Sequence, residues 1–77
     1  MGFEYSMHWI KQRKFRPEIK DSDMEYAIQN SAQLKDKYWE DALNAIARIP
    51  PSGRILKVVY KKVKSNKIKI ISAYWLD

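Results

Sequence analysis

One histidine, no cysteine and a run of lysines interleaved with aromatics bound the chemistry open to this 77-residue sequence. The absent cysteines remove disulfides, thiolate metal sites and cysteine nucleophiles together. His8, being single, cannot build a paired-histidine active site or a His-rich zinc site. On a short helix beside Trp9 it reads as a surface residue or as a general acid or base. With Gly2 and Gly53 the only glycines, there is no Gly-rich phosphate loop, and no Ser-His-Asp arrangement is recognisable. Asp21, Asp23 and Glu25 are explained by a helix start, where carboxylates complement the positive end of the dipole. Neither that group nor Glu40 and Asp41 has a histidine neighbour; a magnesium site on them is conceivable but unsupported, and no metal or cofactor is expected. Met1-Gly2-Phe3-Glu4-Tyr5-Ser6 satisfies the myristoylation pattern, which is short enough to be met by chance.

What remains is Arg54, Lys57, Tyr60, Lys61, Lys62, Lys64, Lys67, Lys69, Tyr74 and Trp75. Cations neutralise phosphates, and exposed aromatics stack on bases. The competing reading packs Tyr60, Tyr74 and Trp75 in the core and leaves the lysines facing water. Net charge is +6, and its distribution is uneven. Residues 1–38 carry seven basic and six acidic side chains, whereas residues 39–77 carry eight and three. From Arg48 to Lys69 all eight charges are positive. Such a block draws a polyanion, nucleic acid first, with an acidic protein or a membrane surface as the other partners of that charge.

The elements that must position these groups follow from spacing. At this length one domain, residues 1–77, is expected. A 45% hydrophobic fraction and only five Gly plus Pro argue for a folded chain. No apolar run reaches the roughly 20 residues of a membrane span, and no signal peptide pattern opens the sequence. Phe3 to Tyr5 begin as extended chain. Ser6 caps a helix over Met7–Lys14 with Met7, Ile10 and Lys14 in line, and Pro17 stops it. Asp21 or Ser22 caps a second helix to about Asn30, with Met24, Ala27 and Ile28 as its apolar stripe. Trp39, Ala42, Leu43, Ile46 and Ala47 have helix spacing, yet Leu43, Ala45, Ala47 and Ile49 alternate as a strand would; the periodicity favours helix. Pro50-Pro51-Ser52-Gly53 is a turn. Ile55–Val63 and Lys67–Trp75 then form an antiparallel hairpin. Its register is open. A two-residue turn at Ser65-Asn66 sets Lys57 opposite Tyr74 and Val59 opposite Ser72; a three-residue loop sets Lys57 opposite Trp75.

Phe-Glu-Tyr-Ser-x-His at 3–8, Lys11-x-Arg13 and Ile19…Asp23-Met24-x-x-Ala27-Ile28 resemble the front of short RelE-like proteins. Lys35-Asp36, Arg54-Ile-Leu-Lys-Val-Val-Tyr60 and Ile70-Ile-Ser-Ala-Tyr74 resemble their back. The group is a set of small RelE/ParE-superfamily proteins that is also similar to BrnT toxins. The resemblance implies an α+β fold, with two N-terminal helices packed on a bent antiparallel sheet of three to four strands. It makes residues 42–49 a strand, and that reading is adopted, because a lone hairpin needs further strands.

The resemblance also implies a cytoplasmic type II toxin, an endoribonuclease that cleaves messenger RNA, on or off the ribosome, without a metal. Its partners are that RNA and a cognate antitoxin protein. The 2′-hydroxyl would attack its own phosphate, with Lys57 or His8 as base, Arg54 and Lys61 on the phosphate, and Tyr74 as acid or stacking group. Arg48, Lys61, Lys62, Lys64, Lys67 and Lys69 would bind the RNA. The alternatives are a non-catalytic nucleic-acid-binding module on the same hairpin, or a ParE-like toxin acting by protein contact. Unlike the better-known RelE toxins, the sequence is short and its closing Trp75-Leu76-Asp77 carries no basic residue.

Overall fold

A computed structural model of the chain describes residues 2–16, 18–31, 34–35, 41–64 and 66–76. Met1, Pro17, Asp36, Trp39, Glu40, Ser65 and Asp77, named above, lie outside the described residues. The element order is β1 (Gly2–Tyr5), α1 (Met7–Gln12), a 3-10 turn (Arg13–Phe15), α2 (Asp21–Gln29), β2 (Leu34–Lys35), β3 (Leu43–Ile49), β4 (Arg54–Lys64) and β5 (Lys67–Trp75). The strands form one mixed sheet in the order β1-β5-β4-β3-β2, parallel only where β1 meets β5. The class is therefore α+β.

The sheet has five strands, not the expected three or four, and is mixed instead of antiparallel. The extended Phe3–Tyr5 segment is the reason: it pairs along the outer edge of β5, Phe3 with Ile68 and Tyr5 with Ile70, and so satisfies backbone groups a bare edge would expose. Both helices consequently follow a strand. Residues 43–49 are a strand, against their helical periodicity. Leu43, Ala45, Ala47 and Ile49 all turn to the helix side, the face alternation gives.

Ser6 caps α1 as its residue type demands, its hydroxyl accepting the Trp9 N–H at 3.1 Å. That helix is shorter than expected and rotated. Trp9 is buried, whereas Met7, placed on the apolar stripe by spacing, is 68% exposed. The α2 stripe of Met24, Ala27 and Ile28 is buried as read. Its cap falls one residue early, at Lys20, whose N–H donates to the Asp23 carboxylate at 3.3 Å. Pro50 to Gly53 make the turn between β3 and β4, and Gly53 has φ +75°, open to glycine at no steric cost. The Pro50–Pro51 bond is cis.

The core lies between the helices and one face of the sheet: Trp9 and Met24 on one side, Leu56, Val58, Tyr60 and Ile70 on the other, all fully enclosed. Burying such a side chain contributes about 1.5–3 kcal/mol, and in so small a domain each one counts. Met24→Ala is therefore expected to cost about 2–5 kcal/mol in urea denaturation. Phe15→Ala, at a site 85% exposed, should move the midpoint by no more than about 0.5 kcal/mol.

Candidate functional site

Alternation sends Lys57, Val59 and Lys61 of β4 to the sheet's second face, away from the core. The β4–β5 register sets Lys57 opposite Tyr74, Val59 opposite Ser72 and Lys61 opposite Lys69. The first two pairs are those of the two-residue turn. They arise through two compensating irregularities, between Val59 and Tyr60 and between Lys62 and Lys64, so that the pairing between them is offset by one residue. Ala42, Val59 and Ile71 form a small buried apolar cluster on this face. Cations stand on both sides of it.

On one side α1 supplies the wall. Ser6 N–H donates to Ile70 O at 2.9 Å, and its hydroxyl donates to Ile71 O at 3.1 Å. This brings the exposed His8 over a cleft of about 140 Å³ lined by Ser6, His8, Lys61, Lys69 and Ile71. On the other side the Lys57 ammonium lies 5.6 Å from the Tyr74 ring centroid and the Arg16 guanidinium 5.9 Å from the same ring. Arg16 also donates to Ala73 O at 3.3 Å, and Ser72 donates to the Gln12 side chain at 2.6 Å. Lys57 and Lys61 are four residues apart on one strand, about 13 Å along it. The two clusters are thus neighbouring subsites, not one.

The residues expected to act together are split. Arg54 is on the helix side, its guanidinium 4.3 Å from the centroid of Trp75, which packs against the core. Strand alternation separates it from Lys57, so it cannot serve the same phosphate. Tyr60 is fully buried and unavailable for stacking, and burial raises its pKa above the usual tyrosine value. Lys67 pairs with Glu4 at 3.1 Å. Lys62 and Lys64 are exposed at the hairpin tip. Arg48 is exposed at the far end of β3 and donates to Gly53 O at 3.0 Å. His8, Lys61 and Lys69 come together, as do Lys57 and Tyr74.

Arg16 and Gln12 were missed by the sequence reading. Residues 11–20 hold five cations, Lys11, Arg13, Lys14, Arg16 and Lys20, against Glu18 alone. Averaging over the first half of the chain hid this run behind the carboxylates of α2. Among the described residues no group of three or more His, Cys, Asp or Glu could hold a metal. No described helix is long and apolar enough to cross a membrane. Against protein-family models, curated proteins and solved structures alike, the chain finds no match.

At the start of α2 the Tyr5 hydroxyl donates to the Asp21 carboxylate at 2.5 Å, and the Arg13 guanidinium lies 5.2 Å from the Tyr5 ring centroid. The bond to Asp21, aided by burial and by the carboxylate's charge, raises the Tyr5 pKa above 10.0; Arg13 opposes it. A raised pKa means the folded chain holds this proton more tightly than the unfolded one. Its stabilisation is full below the unfolded value and is lost as pH climbs through the folded one. Ultraviolet titration of tyrosinate against a Tyr5→Phe control should show Tyr5 ionising late, and Asp21→Asn should bring it earlier.

Proposed function

We propose that the chain is a metal-independent ribonuclease of the RelE-like toxin kind, acting on single-stranded RNA laid across the second face of the sheet. The observation that carries this reading is the cleft in which His8 meets Lys61 and Lys69, a histidine from the first helix brought to a lysine pair of the hairpin more than fifty residues on. Two ammonium groups beside one imidazole are the parts that 2′-hydroxyl attack requires. His8 takes the 2′-hydroxyl proton, and the freed oxygen attacks the adjacent phosphorus. Lys61 and Lys69 hold the charge that builds on the phosphoryl oxygens, and one of them gives a proton to the departing 5′ oxygen. The P–O5′ bond breaks as the P–O2′ bond forms, leaving a 2′,3′-cyclic phosphate and a 5′-hydroxyl. Lys57 and Tyr74, about 13 Å along the strand, take a neighbouring nucleotide: Tyr74 stacks on its base and Lys57 meets its phosphate. An acidic antitoxin segment on the same cations would silence the site.

The displacement of Arg54 to the helix side favours a second reading, in which the same face binds RNA without cutting it. One experiment separates the two: purified protein, a short labelled RNA and EDTA in the buffer. The first reading expects cleavage to persist in EDTA, His8→Ala and Lys61→Ala to lower the rate by about 10²-fold or more with binding retained, and Arg54→Ala to leave the rate unchanged. Tyr74→Ala should weaken binding by about 1–3 kcal/mol. Intact RNA with salt-dependent binding would support the second reading.

A further inference from the structure

Of the five cations at residues 11–20, the four that follow α1, in the 3-10 turn and the segment leading to α2, are gathered. Arg13, Lys14, Arg16 and Lys20 line one cleft of about 450 Å³, with Trp9, Ile19 and Asp21 completing its walls. Four cations face one carboxylate there. Asp21 already accepts the Tyr5 hydroxyl. Among the described residues Lys67 and Glu4 form the single salt bridge, so none of these four cations has a described carboxylate within 4.0 Å. Holding like charges together without a counter-ion raises the local potential and costs stability, which an anionic ligand would relieve.

The cleft also has a direction. Arg16 belongs to it and, at the same time, places its guanidinium on the Tyr74 ring of the second sheet face. One side chain therefore joins this cleft to the Lys57–Tyr74 subsite. From there the cations continue along β4 to Lys61 and its partner Lys69. We infer that the Arg13–Lys14–Arg16–Lys20 cleft is a second phosphate-binding site, which takes the sugar–phosphate backbone of a single-stranded RNA on its way to Tyr74. The inference rests on the proposed RNA reading of the sheet face, and it adds the element that determines how long a strand the protein engages. A strand that leaves a sheet face, passes the half-buried Tyr74 ring and enters a cleft beside a helix must bend and splay its bases. A stiff duplex cannot follow that path, so single strands are selected by shape.

The test uses the whole chain, a fluorescein-labelled mixed-sequence RNA of twelve nucleotides, the same RNA as a duplex, and a six-nucleotide RNA. Binding is read by anisotropy across a salt series. The expected result is that Lys14→Gln/Lys20→Gln, both exposed and checked for folding by circular dichroism, weakens binding of the twelve-nucleotide strand at least tenfold. The slope of log K against log salt should fall by about 1.4, or about 0.7 for each lost single-strand phosphate contact. Binding of the six-nucleotide strand should change much less, and the duplex should bind more weakly than the single strand.

An unchanged affinity and slope in the double variant, with Lys61→Gln/Lys69→Gln still defective, overturns the inference and leaves the sheet-face reading standing. Equal binding of duplex and single strand overturns the path past Tyr74. No binding of any RNA by the unaltered chain overturns both readings. Vesicles with a third anionic lipid are the control: lysine-dependent vesicle binding without RNA binding assigns the cleft to a membrane surface and overturns the inference.

Discussion

Ser6 is the residue on which the geometry turns. Its backbone N–H closes the last bond of the β1–β5 pairing, at Ile70 O. Its hydroxyl then does two things at once, accepting the Trp9 N–H that starts α1 and donating to Ile71 O in β5. A strand, a helix start and the sheet's irregular position are thereby tied within one residue. The rest follows by rotation. With α1 fixed at that angle, Trp9 enters the core, His8 overhangs Lys61 and Lys69, and Gln12 reaches Ser72. Removing the hydroxyl would leave a buried carbonyl and a helix N–H to find other partners. The effect would extend past stability, since the same bonds set where His8 stands.

The sheet accepts an electrostatic cost on its second face. Lys61 stands directly opposite Lys69, and Lys64 opposite Lys67. Like charges in such positions destabilise a strand pair. Glu4, which stands beside Lys69 in the β1–β5 pairing, gives its carboxylate to Lys67, and among the described residues no carboxylate lies within 4.0 Å of Lys61 or Lys69. A domain of this size has little stability to lose. A like-charged pair kept beside a histidine is what the proposed reading, with an anion meeting the pair, would use. The packing of Arg54 on Trp75 points the other way: a cation laid on an indole face is held by that contact. Position in the sheet, not residue type, separates the two kinds of cation.

Much of this was legible because it is local. The cap at Ser6, the α2 stripe and the Pro50–Gly53 turn depend on neighbours within a few residues, and all three are where those neighbours put them. Arg54 and Lys57 were also legible. They are three residues apart, and a period of two sends them to opposite faces, although the resemblance groups them at one site. Residues 43–49 were ambiguous because alanine fits either period, so only the neighbouring strand decides. The parallel β1–β5 pairing joins residues more than sixty apart, and its signal is no more than a short extended segment. The paired irregularities in the hairpin had no sequence mark at all.

The meeting of His8 with Lys61 and Lys69 depends on all of those non-local features together, which is why it could not be read from spacing. Lys61 and Lys69 are brought opposite one another by the offset stretch of pairing; without the irregularity near Ile71 the hairpin would set Lys61 against Ile70 instead. Because side chains alternate, that one-residue change would turn a lysine of the pair to the core side. The same irregularity places the Ile71 carbonyl where the Ser6 hydroxyl reaches it. One local departure from a regular ladder thus aligns two lysines on a face and anchors the helix that carries the histidine. Irregular strand positions of this kind concentrate beside functional sites because they re-aim side chains that a regular pleat would separate. Here the re-aimed groups are the ones with chemistry to offer, and that coincidence is the strongest structural argument for placing the site at this end of the sheet.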